Sequence, residues 1–415
     1  MPQLILSGGS PLSGRVTVEG AKNAALPACV ASLLTDDPII LTRIPELRDV
    51  ETILATIASL GKTVSRADDT VTVSSGAALS DEAEPRFVRQ MRASFLVLGP
   101  LLARLGRALV PLPGGCTIGP RPVDLHLEGL RQLGARVEEQ DSAVLVTTDG
   151  LRGAVVRLPY PSVGATEQLM IAATLASGET RIENAAREPE ISDLTSLLSQ
   201  MGAQIAIEPG SIRIAGGRPL HGARHEIIPD RIEAGTYLLA GAITGGCVTV
   251  DGVVPAHLAG FLPLLQDAGV LIDVAETHIT ATANGRPAAT DAATAPHPGF
   301  PTDLHPPLAA LLSLARGESQ ITETVFEQRF GYVDPLRTLG ARITVDGASA
   351  VISGVDRLRG ARVTAPDLRA GAALVLAGLA ADGPTVLQGI EHLERGYARM
   401  NAKLSALGGR IERTA

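Results

Sequence analysis

A short phrase, close to Leu-Gly-Ala-x-Val/Ile, returns six times along the chain and limits the folds open to it more than any other feature. It reads LGKTV at Gly61, LGARV at Gly134, MGAQI at Gly202, AGVLI at Gly269, LGARI at Gly340 and LGGRI at Gly408. Successive glycines lie 73, 68, 67, 71 and 68 residues apart. Each phrase closes an amphipathic stretch such as VDLHLEGLRQLGA or ISDLTSLLSQMGA, so the glycine is expected to cap a helix ahead of a β-branched strand. A second helix is predicted earlier in every repeat: NAALPACVASLL, RASFLVLGPLLARL, ATEQLMIAATLA, IEAGTYLLAGAI, DLHPPLAALLSLA and LRAGAALVLAGLA. Strand-like runs with turns, such as RVTVEG, ALVPLPGG and RIENAA, separate them. The predicted unit is β-α-β-α-β-β. A period near 70 exceeds the roughly 20–50 residues of solenoid repeats and points to duplicated subdomains. Three per domain gives an α/β protein with one domain over residues 22–228 and another over 229–415, which residues 1–21 complete.

The first predicted helix starts in the same phase of every repeat, at Lys22, Arg92, Gly164, Arg231, Asp303 and Arg369. Four of these six residues are basic, where simple capping would prefer an acid. Helix N-termini favour anions, but each dipole adds only about 0.3–1 kcal/mol, so the side chains must supply the rest. The pattern predicts an anion-binding site in a chain whose net charge is −8. That charge, with no basic run, argues against nucleic acid and anionic lipid as partners. Aromatic residues are 2% and Trp is absent, so no base-stacking surface is expected. No apolar run reaches the roughly 20 residues that span a bilayer, and no signal-peptide pattern opens the chain. Three cysteines are too few and odd for a disulfide framework, which points to a reducing, cytoplasmic setting. Cys29 and Cys247 fall in apolar patterns and read as core. Cys116, in LPGGCTIGPRPVDLH, lies in a loop of glycines and prolines that offers no core to hide it.

Long stretches carry a resemblance that spans the chain in order: GAKNAALP, MRASFLVLGPLLA, LPGGCTIGPRPVDLH, SVGATE, ENAAREPE, PDRIEAGTY, FPTDL, ITETVFEQRF, DLRAGAALVLAG and RGY. They resemble the enolpyruvyl transferases that act on UDP-N-acetylglucosamine, the 1-carboxyvinyltransferase family. The resemblance implies a two-domain inside-out α/β barrel of six β-α-β-α-β-β repeats, with the active site between the domains. It implies transfer of the enolpyruvyl group of phosphoenolpyruvate to the 3′-hydroxyl of UDP-N-acetylglucosamine, the first committed step of peptidoglycan synthesis, without metal or organic cofactor. No protein partner is evident.

That reaction needs an acid for the CH₂ carbon of phosphoenolpyruvate and a base for the sugar hydroxyl. The resemblance assigns the acid to Cys116, which would also be the target of fosfomycin. A thiol suits the task, being mostly protonated yet readily ionised beside cations. Asp303, at a predicted helix start, is the candidate base or orienting group. Lys22, Asn23, Arg92, Arg121 and Arg395 are implied to hold phosphoenolpyruvate, arginine forks matching its phosphate and carboxylate. Asn23, Arg92, Arg121, Pro122, Val123, Asp124, Leu125, Ser162, Val163, Gly164, Asp303, Val325 and Phe326 match contacts to the sugar nucleotide. Arg231, Arg329, Arg369, Glu188 and Glu190 match supporting positions. Tyr160 stands where members of the family often carry a lysine.

His221 and His225 lack partners at zinc-ligand spacing and are expected to be solvated in a loop. Three other functions compete. The sister enzyme of aromatic amino-acid synthesis has a Lys-Ser segment where this chain has Ala21-Lys22-Asn23-Ala24, and lacks the LPGGCTIG loop. An enolpyruvyl transferase of secondary metabolism would act on a different nucleotide. A non-catalytic sensor of the sugar nucleotide would need neither Cys116 nor Asp303.

Overall fold

The computed structural model describes residues 2–114 and 123–414. Within it the chain forms two compact units, one of residues 20–114 and 123–228 and one of residues 2–19 and 229–414.

All six glycines of the repeated phrase have φ between +85° and +109°, a region that a Cβ disfavours. They let each second helix stop and a strand begin at once. Arg48–Ser59 gives way to Thr63–Ala67, Asp124–Gln132 to Arg136–Glu139 and Pro189–Gln200 to Gln204–Glu208. The same handover joins Leu262–Asp267 to Leu271–Val274, Val333–Thr338 to Arg342–Asp346 and Met400–Ala406 to Arg410–Thr414.

The described residues form five four-stranded sheets and one of three strands. One repeat shows the plan. Val155–Arg157 runs parallel to Glu179–Glu183 across the helix Val163–Ala173. The hairpin of Gln204–Glu208 and Ser211–Ala215 then folds back, and its second strand pairs antiparallel with Glu179–Glu183. In the last repeat that second strand comes from the start of the chain. Gln3–Ser7 lies between Pro384–Gln388 and Arg410–Thr414, antiparallel to both. Ser13–Thr17 likewise runs parallel to Cys247–Asp251.

Most of the first helices are largely apolar on all sides, and helices of that kind must be buried. In the unit of residues 229–414, Arg231–Ile243, His305–Leu312 and Leu368–Ala380 pack against one another. Every residue from Ile232 to Ile243 is buried, as is every residue from Arg369 to Leu379. Strands such as Ser349–Ser353 alternate buried and half-buried positions, so only one face meets the core. In the other unit the helix Leu98–Leu105 packs on Val163–Ala173, and the 3-10 turn Arg92–Val97 packs on Lys22–Ala31. Asp230 and Asp367 cap their helices, accepting from the amides of Ile232 and Glu233 at 2.8 and 2.9 Å and of Arg369 and Ala370 at 2.8 and 3.0 Å. No helix among the described residues is long and apolar enough to cross a membrane.

Two expectations fail. His225 is buried, because Ala223–Glu226 is a strand paired parallel with Ile39–Thr42 and turns this side chain inward. Its Nε2 lies 2.9 Å from Asp193 Oδ1 and its Nδ1 3.2 Å from Gln200 Nε2. His221 is exposed, as expected. Cys29 is core, but Cys247 is only half-buried, with its sulfur 3.2 Å from the Thr282 hydroxyl.

Candidate active site

Lys22, Arg92, Gly164, Arg231, Asp303 and Arg369 all fall in the first turn of a helical segment. In the unit of residues 229–414, Asp303 lies in the 3-10 turn Thr302–Leu304 that leads into His305–Leu312. The proline before Thr302 favours an extended entry, and the apolar run after Asp303 then drives the chain into the core. Arg329 Nη2 donates to Asp303 Oδ1 at 2.7 Å, and Arg369 Nη2 donates to Oδ2 at 2.9 Å. Both arginines are buried, while the Asp303 side chain keeps 23% of its surface. The two guanidiniums fix the plane of the carboxylate and leave a net positive charge around it. Arg329 Nε and Arg369 Nη1 are buried with no hydrogen-bond partner among the described residues. Burial opposes the charge of Arg369, but Asp303, then Tyr397 and Asp230, outweigh it and hold the proton more tightly than usual. The Arg369 guanidinium also lies over the Tyr397 ring, 5.3 Å from its centre.

Behind Asp303 sits a polar cluster that the sequence did not reveal. The Glu323 side chain is fully buried at the end of the strand Glu318–Thr322. Its Oε1 accepts from the Thr294 hydroxyl and the Val325 amide, both at 2.8 Å, and from the Phe326 amide at 3.1 Å. Its Oε2 accepts from the Thr302 hydroxyl at 2.9 Å and lies 2.8 Å from His305 Nδ1. On the far side of the imidazole, Nε2 is 2.8 Å from the Tyr332 hydroxyl. Burial alone would raise the Glu323 carboxyl. The hydrogen bonds from His305, Val325 and Thr294 oppose it and hold the group down. A carboxylate only accepts, so His305 Nδ1 carries the hydrogen and Nε2 accepts from Tyr332. Burial lowers His305, which fits this neutral form.

In the unit of residues 20–228, Lys22 opens the helix Lys22–Ala31 and is buried against Asp49 at 2.6 Å. Asp49 lies in the first turn of Arg48–Ser59, and nothing in its surroundings in the sequence marks it as the partner of Lys22. Ser162 caps Val163–Ala173, its hydroxyl accepting from the Ala165 amide at 3.4 Å. Gly164 faces His126, and a Cβ there would lie 3.1 Å from the ring. His126 Nδ1 in turn sits 2.8 Å from Gln168 Oε1, joining Asp124–Gln132 to Val163–Ala173. Glu167 is buried on the same helix, and burial, then the charges of Glu190 and Glu188, push its carboxyl well above the usual range. Thr166 accepts from the Ala186 amide at 3.0 Å and so holds the segment that leads to Glu188 and Glu190.

The structure therefore brings Asp303, Arg329 and Arg369 into contact, and joins Val325 and Phe326 to them through Glu323. Asn23, Arg92, Val123, Leu125, Val163 and Arg231 are half-buried, and Asp124 is exposed. Arg395 is half-buried at the end of the 3-10 turn Ile390–Arg395. Tyr160 is 38% exposed. Cys116, Arg121 and Pro122 lie outside the described residues. Chemically, Asp303 presents a carboxylate of fixed orientation, and two of the basic helix starts, Lys22 and Arg369, are each paired with a carboxylate.

Comparison with known proteins gives a concordant result. The family model of EPSP synthase (3-phosphoshikimate 1-carboxyvinyltransferase) matches residues 6–404. UDP-N-acetylglucosamine 1-carboxyvinyltransferase 2 of Carboxydothermus hydrogenoformans is 48% identical over 418 residues, covering all of both chains. UDP-N-acetylglucosamine 1-carboxyvinyltransferase of Granulibacter bethesdensis is 49% identical and covers all of this chain and 99% of that one. Among solved structures, the enolpyruvyl transferase NikO from Streptomyces tendae has a TM-score of 0.90 at 27% identity, over 100% of this chain and 99% of that one. EPSP synthase from Acinetobacter baumannii shares the fold, with a TM-score of 0.77 at 19% identity over 100% of both chains.

Proposed function

The chain belongs to the EPSP synthase family, on its UDP-N-acetylglucosamine 1-carboxyvinyltransferase branch, and we propose that it transfers the enolpyruvyl group of phosphoenolpyruvate to the 3′-hydroxyl of UDP-N-acetylglucosamine. Phosphate is released, and the product enters peptidoglycan synthesis in the cytoplasm. The observation that carries this reading is the identity of 48–49% along the full chain to two enzymes so named. The fold in this reading is an inside-out barrel of six repeats, and both units contribute residues to the reaction.

The chemistry is addition followed by elimination. Cys116 gives its proton to the CH₂ carbon of phosphoenolpyruvate, which makes C2 electrophilic. The 3′-oxygen adds to C2 as its proton passes to Asp303. Phosphate then leaves C2, taking up the proton held by Asp303, and the new methyl group gives a proton to the Cys116 thiolate, which restores the double bond and the thiol. A placed acid or base of this kind contributes about 10²–10⁴-fold each. Two buried arginines hold Asp303 in one plane, which supports a role in aligning the hydroxyl as well as receiving its proton. Lys22, Arg92, Arg121 and Arg395 neutralise the phosphate and carboxylate of phosphoenolpyruvate. Ser162, Val163 and Gly164, with residues 121–125, contact the nucleotide, and Val325 and Phe326 contact the sugar nucleotide from the other unit.

The test is phosphate release from phosphoenolpyruvate with UDP-N-acetylglucosamine, with shikimate 3-phosphate in parallel, and with and without fosfomycin. Release with the sugar nucleotide alone, lost irreversibly with the drug, is expected. Release only with another acceptor would move the chain to a different branch of the family. Tight binding of the sugar nucleotide without any release would leave a sensor.

A further inference from the structure

We propose that Glu323 is a positioning residue for this transfer: one buried carboxylate whose Oε2 holds the segment that carries Asp303 and whose Oε1 holds the turn that carries Val325 and Phe326. The inference rests on the function proposed above and adds a residue to it.

Geometry supports it at both oxygens. Thr302 and His305 flank Asp303 by one and two positions, and both bind Oε2. The carboxylate therefore grips the chain on either side of Asp303. Oε1 takes the Val325 and Phe326 amides directly, together with the Thr294 hydroxyl. The imidazole passes the same constraint on to Tyr332, which shares a 3-10 turn with Arg329, the partner of Asp303 Oδ1. Two substrate-facing segments far apart in sequence are thus set against each other by one side chain. Buried carboxylates satisfied by this many donors are rigid.

Each oxygen can be tested separately. Thr302→Val removes a donor from Oε2 at constant shape, and Thr302→Ser restores the hydroxyl. Thr294→Val removes a donor from Oε1. With phosphate release as the assay, Thr302→Val is expected to lower kcat by about tenfold or more, the scale of losses from small misplacements of a catalytic group. KM for UDP-N-acetylglucosamine should change much less, and Thr302→Ser should recover most of kcat. Thr294→Val should instead raise KM for the sugar nucleotide more than it lowers kcat. Glu323→Gln, which keeps the shape but can satisfy only one side with its single carbonyl oxygen, should lower kcat or raise KM by at least as much as either threonine variant. The proposal is overturned if Thr302→Val keeps wild-type kcat, if Thr302→Ser is as impaired as Thr302→Val, or if Thr302→Val and Thr294→Val give the same kcat-to-KM pattern. Absence of phosphate release from the wild-type enzyme would defeat the functional reading instead, so the two failures are distinct.

Discussion

The contact between Asp303 and Arg369 makes a quantitative prediction through a double-mutant cycle of Asp303→Asn and Arg369→Met. Arg369 Nη2 donates to Asp303 Oδ2 at 2.9 Å from a buried position, and the carboxylate is 23% exposed. A hydrogen bond to a charged group at such a site contributes about 1.5–3 kcal/mol. Arg369→Met removes that bond together with the contact to the Tyr397 ring, the latter about 0.5–2 kcal/mol. Asp303→Asn leaves two buried guanidiniums facing a neutral amide, and an uncompensated buried charge is costly. In the double variant the Asp303–Arg369 term is lost once rather than twice, while the Tyr397 term cancels around the cycle. The two losses should therefore sum to about 1.5–3 kcal/mol more than the loss in the double variant, against the roughly 0.3–0.5 kcal/mol seen between independent sites. Urea unfolding followed by circular dichroism measures it. At about 2–4 °C per kcal/mol for a unit of this size, Arg369→Met should also lower Tm by several degrees. Additivity within about 0.5 kcal/mol would refute the reasoning, because the contact would then contribute nothing beyond its separate partners.

Two further outcomes follow from burial. Burial, resisted by Lys403, pushes the Glu233 carboxyl up to about 7. An acid raised in the folded state stabilises the fold fully below its unfolded value of about 4.5 and loses that contribution as pH rises through about 7. Glu233→Gln cannot ionise, so its stability relative to wild type should rise between about pH 5 and about pH 8, by up to roughly 3 kcal/mol. Urea titrations at the two pH values check this, and an unchanged difference would place the Glu233 titration elsewhere. Burial also pushes the Cys29 thiol up to about 12. It should resist an aromatic disulfide reagent in the native protein and react once unfolded, whereas half-buried Cys247 should react natively but slowly, as peptide mapping by mass spectrometry would show.

What could be read from the sequence depended on whether its cause was local. The six glycines announced helix ends because a left-handed residue after an amphipathic stretch is a matter of adjacent residues, and all six have positive φ. The helix starts were legible for the same reason, down to Asp303 after Phe-Pro-Thr. The role of Glu323 was not, because its side-chain donors Thr294, Thr302 and His305 lie 29, 21 and 18 positions away and meet it only when sheet and helix pack. Lys22 and Asp49 are 27 positions apart on separate helices, so neither segment alone reveals their pairing. His225 was misjudged because HGARH looks like a turn, and only the parallel pairing with Ile39–Thr42 makes it a strand with an inward face.

The strand Gln3–Ser7 has a consequence for the order of events during synthesis. It is the bridge between Pro384–Gln388 and Arg410–Thr414, which do not touch each other in the sheet. At roughly 5–20 residues per second, a ribosome makes it about 20–80 s before either neighbour exists. The unit of residues 20–228 has all its strands long before then. The unit of residues 229–414 has to wait, its oldest segment held back as an apolar strand with both edges open. Exposed edges of this kind invite wrong pairing, so the risk for this sheet lasts from the making of its first strand to the making of its last.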